Sequence, residues 1–428
     1  LQYSPDFRRT RGNQVQHLET ESEGLVMAAR LRLVNGACGA LVFSLNLLGM
    51  ASRASLAFLG QEDIALSMDP EVTYFKEKYE GSSLYASRVD KVQFDDNLLV
   101  LGGENFLTLP RSGDLITEMY LKVFFPPSLL NVQVEESVGT LFIEHVEIYI
   151  GSMLIERIYG EFIAMKYDIE VPQGKQPALE GLFGKGTQVA ASNYTIPLPF
   201  SILKRGIPLC AFNEPVIFRI VTKPSNTFTI PPVDITDPIQ IYIHVENTYL
   251  GQKEIEYIRK TPQIHLLQQV QLSEFFAPLG ATSVRCNMGF SNIVKELYFV
   301  IQNETALAYD FLADNTSNVQ QISSLELFFN STERISTDVG TPLFLRVIQG
   351  LEFHTRVPSY YFYMYSFSLD PESTRPSGGV NLSRIQNQIL KLNLNSSASA
   401  RNIRVYAVNY NFLEVANGKA TILFSNFQ

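Results

Sequence analysis

Five histidines, His17, His145, His244, His265 and His354, and three cysteines, Cys38, Cys210 and Cys286, are the residues best suited to metal or nucleophile chemistry. A metal site on a β scaffold needs two or three histidines and a carboxylate converging on one ion, commonly opened by a His-x-His pair on one strand. No two histidines of this chain are close in sequence. Glu144 precedes His145, but if this segment is a strand, neighbouring side chains point to opposite faces and the carboxylate is expected on the face opposite the ring. His145 therefore reads as an ordinary strand histidine. The segment Gly181-Leu-Phe-Gly-Lys-Gly-Thr187 looks superficially like a phosphate loop. Such a loop needs Ser or Thr directly after its lysine to hold magnesium, whereas Gly186 follows Lys185 and Leu179 stands at the first glycine position. It reads as a flexible surface loop. No GxSxG occurs, and the cysteines fall in no CxxC or Cys/His spacing, so nucleophilic catalysis has no local signature. No catalytic residue, metal or cofactor is assigned. An enzyme of tandem cupin type is disfavoured by the histidine spacing.

Six Asn-x-Ser/Thr triplets stand at Asn193, Asn303, Asn315, Asn330, Asn381 and Asn395. They matter only if the chain enters a secretory lumen. Three cysteines is an odd number in a chain too large to need disulfide staples, which reads as reduced thiols and a reducing compartment such as cytosol. There the triplets stay bare. A secreted carbohydrate-binding jelly roll would use them, but a chain with no Trp lacks a common sugar platform.

The elements that must carry these residues are strands. At 428 residues the chain exceeds the size of one core, so two domains are expected. Hydrophobic residues make up 46%, with 29 Phe and 20 Tyr, a composition that favours strands. The net charge of −9 opposes a nucleic-acid role, which needs clustered Lys and Arg to neutralise phosphates. The one dense basic group, Arg8, Arg9 and Arg11, reads as a solvated end. Residues 1–24 are polar and aperiodic, and disorder is expected there. Leu33–Ser52 carries no charge and resembles a signal peptide behind Arg30 and Arg32. Asn35, Asn46 and its glycines make it a poor membrane span. The plainer expectation is a natural start at Met50, with residues 1–49 a non-native or disordered extension.

From Ile64 onward, strand follows strand. Ile239, Ile241, Ile243 and Val245 alternate with Gln240, Tyr242 and His244, as in a half-buried strand, and Ile403, Val405 and Ala407 alternate likewise. Val216–Val221, Leu297–Ile301, Leu343–Ile348 and Tyr360–Leu369 are more continuously apolar, as for strands covered on both faces. Helices are expected only at Gly160–Ile169 and Lys253–Lys260. The chain also repeats itself. Ile116–Val123 lies over Val294–Ile301 with Glu118 on Glu296, and Val146–Ser152 lies over Leu325–Ser331 with Glu147 on Glu326, at nearly one offset. An offset of domain size points to two similar all-β domains.

Tyr360–Leu392, YYFYMYSFSLDPESTRPSGGVNLSRIQNQILKL, closely resembles the "YSFAL-PE-QPSG-NFSRID" signature of major capsid proteins of nucleocytoplasmic large DNA viruses. Asp69–Lys76 is similar to their "NPEITFFK", Arg111–Ile116 to "RxGDLI", Val146–Glu161 to "VEIEIGGQxIDxxxGEW", Tyr194–Phe200 to "LPIPFFF", Val294–Leu297 to "VKELIW", and Val405–Leu413 with Phe424–Asn426 to the C-terminal "VYAxNYNxLRI…AYSN". The matches run in order from about Met50 to the C-terminus. Departures are Phe162 for Trp, Arg375 for Gln, Gly379 for Thr and Gln386 for Asp.

The resemblance implies an all-β double jelly roll, two tandem eight-stranded rolls with a few short helices. It implies an arm over 50–70, a first roll over 71–247, a linker over 248–260 and a second roll over 261–428. Three copies would form a pseudo-hexameric capsomer of an icosahedral shell. Its partners would be neighbouring capsomers, minor capsid proteins and an inner membrane at the arm, without direct nucleic-acid contact. The site would be the virion, after assembly in host cytoplasm. A minor capsid paralogue is the alternative. The turn around Pro376-Ser-Gly-Gly379 needs glycine's backbone freedom and reads as a structural corner. Asp370, Pro371, Pro376, Gly378, Gly379, Asn381 and Arg384 build it, with Asp370, Asn381 and Arg384 expected to satisfy buried backbone groups.

Overall fold

The period-two pattern becomes strands whose pairing can be read residue by residue in a computed structural model, which describes residues 60–62, 83–314 and 316–424. The readings of residues 1–49, most of the 50–70 arm, Asp69–Lys76, Cys38, His17, Asn315 and the last four residues lie outside the described residues. Of the unit Leu1–Ser82, only 60–62 are described, and Gln61 and Glu62 are helical there. Everything below belongs to the other unit, Ser83–Gln428.

The first half supplies eight main strands: β1 (Ala86–Leu99), β2 (Glu104–Thr108), β3 (Leu115–Phe124), β4 (Ile143–Ile150), β5 (Met153–Tyr159), β6 (Asn193–Pro197), β7 (Val216–Thr222) and β8 (Ile239–Tyr249). They form two antiparallel sheets in the orders β1-β8-β3-β6 and β2-β7-β4-β5. The second half repeats the plan with β9 (Gln263–Ala277), β10 (Ser283–Met288), β11 (Ile293–Asn303), β12 (Ile322–Phe329), β13 (Thr332–Ile335), β14 (Tyr363–Ser366), β15 (Gln388–Leu394) and β16 (Arg401–Ala416). Its sheets run β9-β16-β11-β14 and β10-β15-β12-β13. Each half is a jelly roll, with the same strand positions filled in the same order.

The sequence duplication falls on equivalent strands. Ile116–Val123 lies in β3 and Val294–Ile301 in β11, each third in its roll, while the Val146 and Leu325 segments occupy β4 and β12, each fourth. Glu147 stands opposite Arg219 across β4 and β7, and Glu326 opposite Lys391 across β12 and β15. Both pairs close as ion bridges, at 3.0 and 2.8 Å. The duplicated glutamates thus keep one role in two copies.

Helices connect the fifth and sixth strands of each roll. In the first roll these are α1 (Gly160–Glu170) and α2 (Pro177–Phe183). A helix, α3 (Gln252–Lys260), stands between the rolls with no buried residue. In the second roll, Leu343–Ile348 is a π-helical turn leading into α4 (Gln349–Phe353), not the strand expected there. Only Leu345 of that turn is buried. A short apolar run carries no period of its own to separate strand from helix. Val216–Thr222 is a strand but alternates buried and half-buried, and Tyr360–Leu369 is strand only over Tyr363–Ser366.

Equivalent strands differ in what covers them. In β3 burial alternates, leaving Glu118 exposed and Tyr120 and Lys122 half-buried. In β11 the residues from Val294 to Ile301 are all buried. The inner face of β11 packs inside the second roll, and its outer face lies against the first.

Candidate functional site

The core of the first roll continues into residues of the second roll's outer sheet face, among them Val270, Tyr298, Val300, Tyr406 and Val408, as one cluster. The interior of the second roll forms a separate cluster around Phe299, Leu327 and Val405. Among the described residues, this seam holds a dense set of buried side-chain bonds.

Helix α1 follows β5 directly and carries Glu161 and Phe162 to the second roll. Arg404 of β16 donates to Glu161 through Nε at 2.8 Å and Nη2 at 2.6 Å, and the Tyr406 hydroxyl donates to the same carboxylate. Burial alone would raise the Glu161 carboxyl, but the Arg404 guanidinium and Tyr406 hydroxyl hold it below the usual carboxylate range. The Phe162 ring packs edge-on against Tyr298 at 5.5 Å and tilted on Tyr406 at 5.8 Å. At the far end of α1, fully buried Asp168 accepts from Ser359 N–H and Oγ, both at 2.6 Å, and from Tyr360 N–H at 3.2 Å. Lys185 closes on the same carboxylate.

Alongside α1 runs a strip of polar bonds. Gln268 of β9 donates its backbone N–H to Ser201 Oγ at 2.9 Å, and Ser201 donates to Glu156 at 3.1 Å. Burial pushes the Glu156 carboxyl up to about 7. Gln269 donates to the Ile155 carbonyl at 2.6 Å. Thr140 meets the Tyr309 hydroxyl and Ser137 the Tyr360 hydroxyl, each at 3.0 Å, with the two rings stacked 5.4 Å apart. His354 lies between Glu296 at 2.6 Å and Glu372 at 3.3 Å. Burial would lower its imidazole, yet the two carboxylates raise it to about 10. Lys295 donates to Gln268 at 2.8 Å and to the Pro371 carbonyl, and burial pushes its ammonium down to about 7.

These groups are fastened to one another, and they make structure. A cleft of about 850 Å³ opens beside the seam, lined by Glu144, His145, Arg157, Lys223 and Arg404 among others. His145 there approaches Glu147 at 3.8 Å and also Glu144 at 3.8 Å. The second contact corrects the expectation that the Glu144 carboxylate faces away: the strand register shifts between Ile143 and His145, and strict alternation fails there. Among the described residues no group of three or more His, Cys, Asp or Glu is arranged to hold a metal ion. Nor is any helix among them long and apolar enough to cross a membrane. Cys210 and Cys286 are free thiols.

The loop reading of Gly181–Thr187 is corrected: α2 runs through Phe183, Gly184 takes the left-handed conformation that ends it, and Lys185 turns inward to Asp168 and Gln176. A lone lysine among glycines does not disclose a buried partner in a distant segment. At the structural corner, Asp370 accepts from Ser373 N–H at 3.1 Å and Asn381 from Ser383 N–H at 3.1 Å, both on the surface. Arg384 is exposed. Deeper groups there are met by Ser366 and Gln388: the Ser366 hydroxyl accepts from Ser368 N–H and donates to the Ser368 carbonyl, and Gln388 donates to the Phe290 and Leu382 carbonyls, while nearer the surface Ser377 Oγ accepts from Asp370 N–H. Pro371 is buried and Pro376 exposed. Gly378 has φ +139, and a Cβ on Gly379 would stand 2.7 Å from Ile293 Cγ2.

The described triplet asparagines divide by their bonds. Asn303 and Asn395 donate their side-chain N–H groups to the carbonyls of Ala313 and Gln320, using the nitrogen a glycan would take. Asn193 accepts from Lys122, while Asn330 and Asn381 are exposed.

Two family models match the chain. One, described as "Large eukaryotic DNA virus major capsid protein", covers residues 254–421, and the other, "Major capsid protein N-terminus", covers 73–214. The major capsid protein of Pyramimonas orientalis virus is 26% identical over 414 residues, spanning 87% of this chain and 98% of that protein. That of Paramecium bursaria Chlorella virus 1 is 22% identical over 444 residues, spanning 87% and 99%. Among solved structures, a chain of the PBCV-1 virus capsid superposes with a TM-score of 0.71 at 18% identity, covering 83% of this chain and all of that one. The Faustovirus major capsid protein does so with 0.66 at 11% identity, covering 89% and 100%.

Proposed function

The chain belongs to the family of large eukaryotic DNA virus major capsid proteins, and from that premise we propose that it works as a trimer, six rolls in a ring forming one capsomer of an icosahedral shell. The observation that carries this reading is the shared core. Two rolls of the same strand order are joined through one apolar cluster and a strip of buried polar bonds. A large apolar interface makes two domains move as one body. Such a body presents two similar outlines to its neighbours, which suits a three-subunit object to a lattice with six neighbours.

The rolls are assigned to 71–247 and 261–428, with 248–260 as the link. The absence of buried residues in α3 favours that division. Partners beyond the trimer are neighbouring capsomers and minor capsid proteins, with the arm over 50–70 on the membrane side and assembly in host cytoplasm. The corner around Gly378 and Gly379 serves as a packing device within the second roll.

Light scattering on the purified full chain tests the trimer. Three chains per particle, stable to dilution, is the expected result. A monomer at every concentration refutes it.

A further inference from the structure

We infer that the cleft beside the seam is a docking groove for an extended, basic segment of another protein, which adds as a strand to the open edge of β9. The sheet order β9-β16-β11-β14 puts β9 at an end, so one of its sides has no neighbouring strand. Its register with β16 runs unbroken from Gln263 to Ala277. In an antiparallel strand, successive residues send their backbone groups to alternate sides. Gln268 gives its N–H to Ser201 rather than to β16, and that bond fixes the phase. The N–H and C=O groups of Leu272, Glu274 and Phe276 therefore face away from β16 as well. Among the described residues, none of them meets a backbone partner on that side. The groove lies between the two rolls of one chain, so the inference does not depend on the trimer.

An unpaired strand edge is a template for a further chain, and main-chain bonds supply affinity to any extended guest. The cleft in front of the edge selects which guest. Gln271–Glu274 form part of its wall, and Glu274 and Phe276 continue into an adjoining hollow of about 450 Å³. Five carboxylates line the cleft, those of Glu135, Glu144, Glu161, Glu274 and Glu304, against the cations Arg157, Lys223 and Arg404. Burial holds the His145 imidazole below its ordinary value, so it adds no charge at neutral pH. Two of the cations are spent, Arg404 on Glu161 and Arg157 on Glu147. Glu144, Glu274 and Glu304 are exposed, and among the described residues no lysine or arginine closes on them. The groove is thus acidic where it opens to solvent, which basic side chains of a guest complement. Phe276, 55% exposed, offers the same guest an apolar contact. A polyamine would satisfy the carboxylates and leave the backbone groups of the edge unpaired. An extended peptide satisfies both.

The probe is a fluorescein-labelled octapeptide of alternating lysine and valine, titrated into the full chain and followed by anisotropy. It should bind, and the same peptide with glutamate for lysine should not. With every backbone nitrogen methylated, the lysine peptide should bind weaker by about tenfold or more, because it has lost its strand donors. Glu274→Gln combined with Glu304→Lys, both at exposed positions, should weaken the unmodified peptide about tenfold. Glu333→Lys, exposed and outside the cleft, should leave it unchanged. Bound peptide should also slow amide hydrogen exchange over Leu272–Phe276. Equal binding of the methylated peptide would show attraction by charge alone and overturn the strand addition. No binding, indifference to the Glu274 and Glu304 changes, or an equal loss in Glu333→Lys would overturn the groove itself.

Discussion

Replacing Arg404 by Met removes the guanidinium from Glu161 while keeping most of the side-chain volume. Glu161 is 12% and Arg404 17% exposed, so the carboxylate left behind is largely desolvated. Breaking a buried pair from one side costs about 3–5 kcal/mol. The Tyr406 hydroxyl still donates to Glu161, which places the expected loss near the lower end, about 3 kcal/mol. Replacing both partners, with Glu161→Leu added, removes the stranded charge and should restore all but about 1 kcal/mol. The loss should also depend on pH in a definite direction. In the wild type the Glu161 carboxyl is held down, so its contribution is present above the ordinary carboxylate range and fades as pH falls through its depressed value. In Arg404→Met burial dominates and the carboxyl rises, so its penalty is present at neutral pH and is relieved on acidification. The two proteins therefore converge as pH falls. Urea unfolding of wild type, both single variants and the double variant, at neutral and mildly acidic pH, measures all of this. A single-variant loss under about 1 kcal/mol, losses that add in the double variant, or a gap that widens toward low pH would each refute the reasoning.

Gly379→Val places a Cβ 2.7 Å from Ile293 Cγ2 and 3.0 Å from the Val294 carbonyl. It should cost about 1–3 kcal/mol through overpacking, seen as a lower melting temperature and less soluble trimer; unchanged yield counts against the corner. His354 is raised to about 10 between Glu296 and Glu372, so the stability it contributes is full below its unfolded value and is lost as pH rises through about 10. The melting temperatures of wild type and His354→Gln should accordingly draw together between neutral pH and pH ~11; a constant gap contradicts this. Cys286 is buried, with its thiol pushed up to about 11. Its labelling by a thiol reagent should follow global unfolding, and fast labelling of the folded protein would show that the second roll opens alone.

Much of the fold could be read from residue types because β8 and β16 write their inner faces in period two and because Glu118/Glu296 and Glu147/Glu326 mark the same strands in both halves. The missed helix had a local signal. Thr341-Pro342 precedes Leu343, and Pro is favoured at the start of a helix, whereas the apolar run behind it has no period that separates helix from strand. The seam was less legible for a physical reason. Arg404 lies between Ile403 and Val405, a pattern that says the guanidinium leaves its own sandwich. Alternation cannot say whether water or another domain covers that outer face. Glu161 and Asp168 likewise read as polar positions on a short helix. Only the fold brings them against Arg404, Ser359 and Tyr360.

The apolar cluster running from the first roll into the second has a mechanical consequence. Each chain lacks a soft joint at its middle, because bending there would expose Phe162 and break the Glu161–Arg404 bridge. Assembled as proposed, such chains behave as stiff tiles. The curvature of a closed shell then has to come from tilting at tile edges, where surface loops can lengthen or shorten without disturbing either sandwich. Changes in particle size would accordingly be written in those edge loops, while the joint between the rolls stays constant.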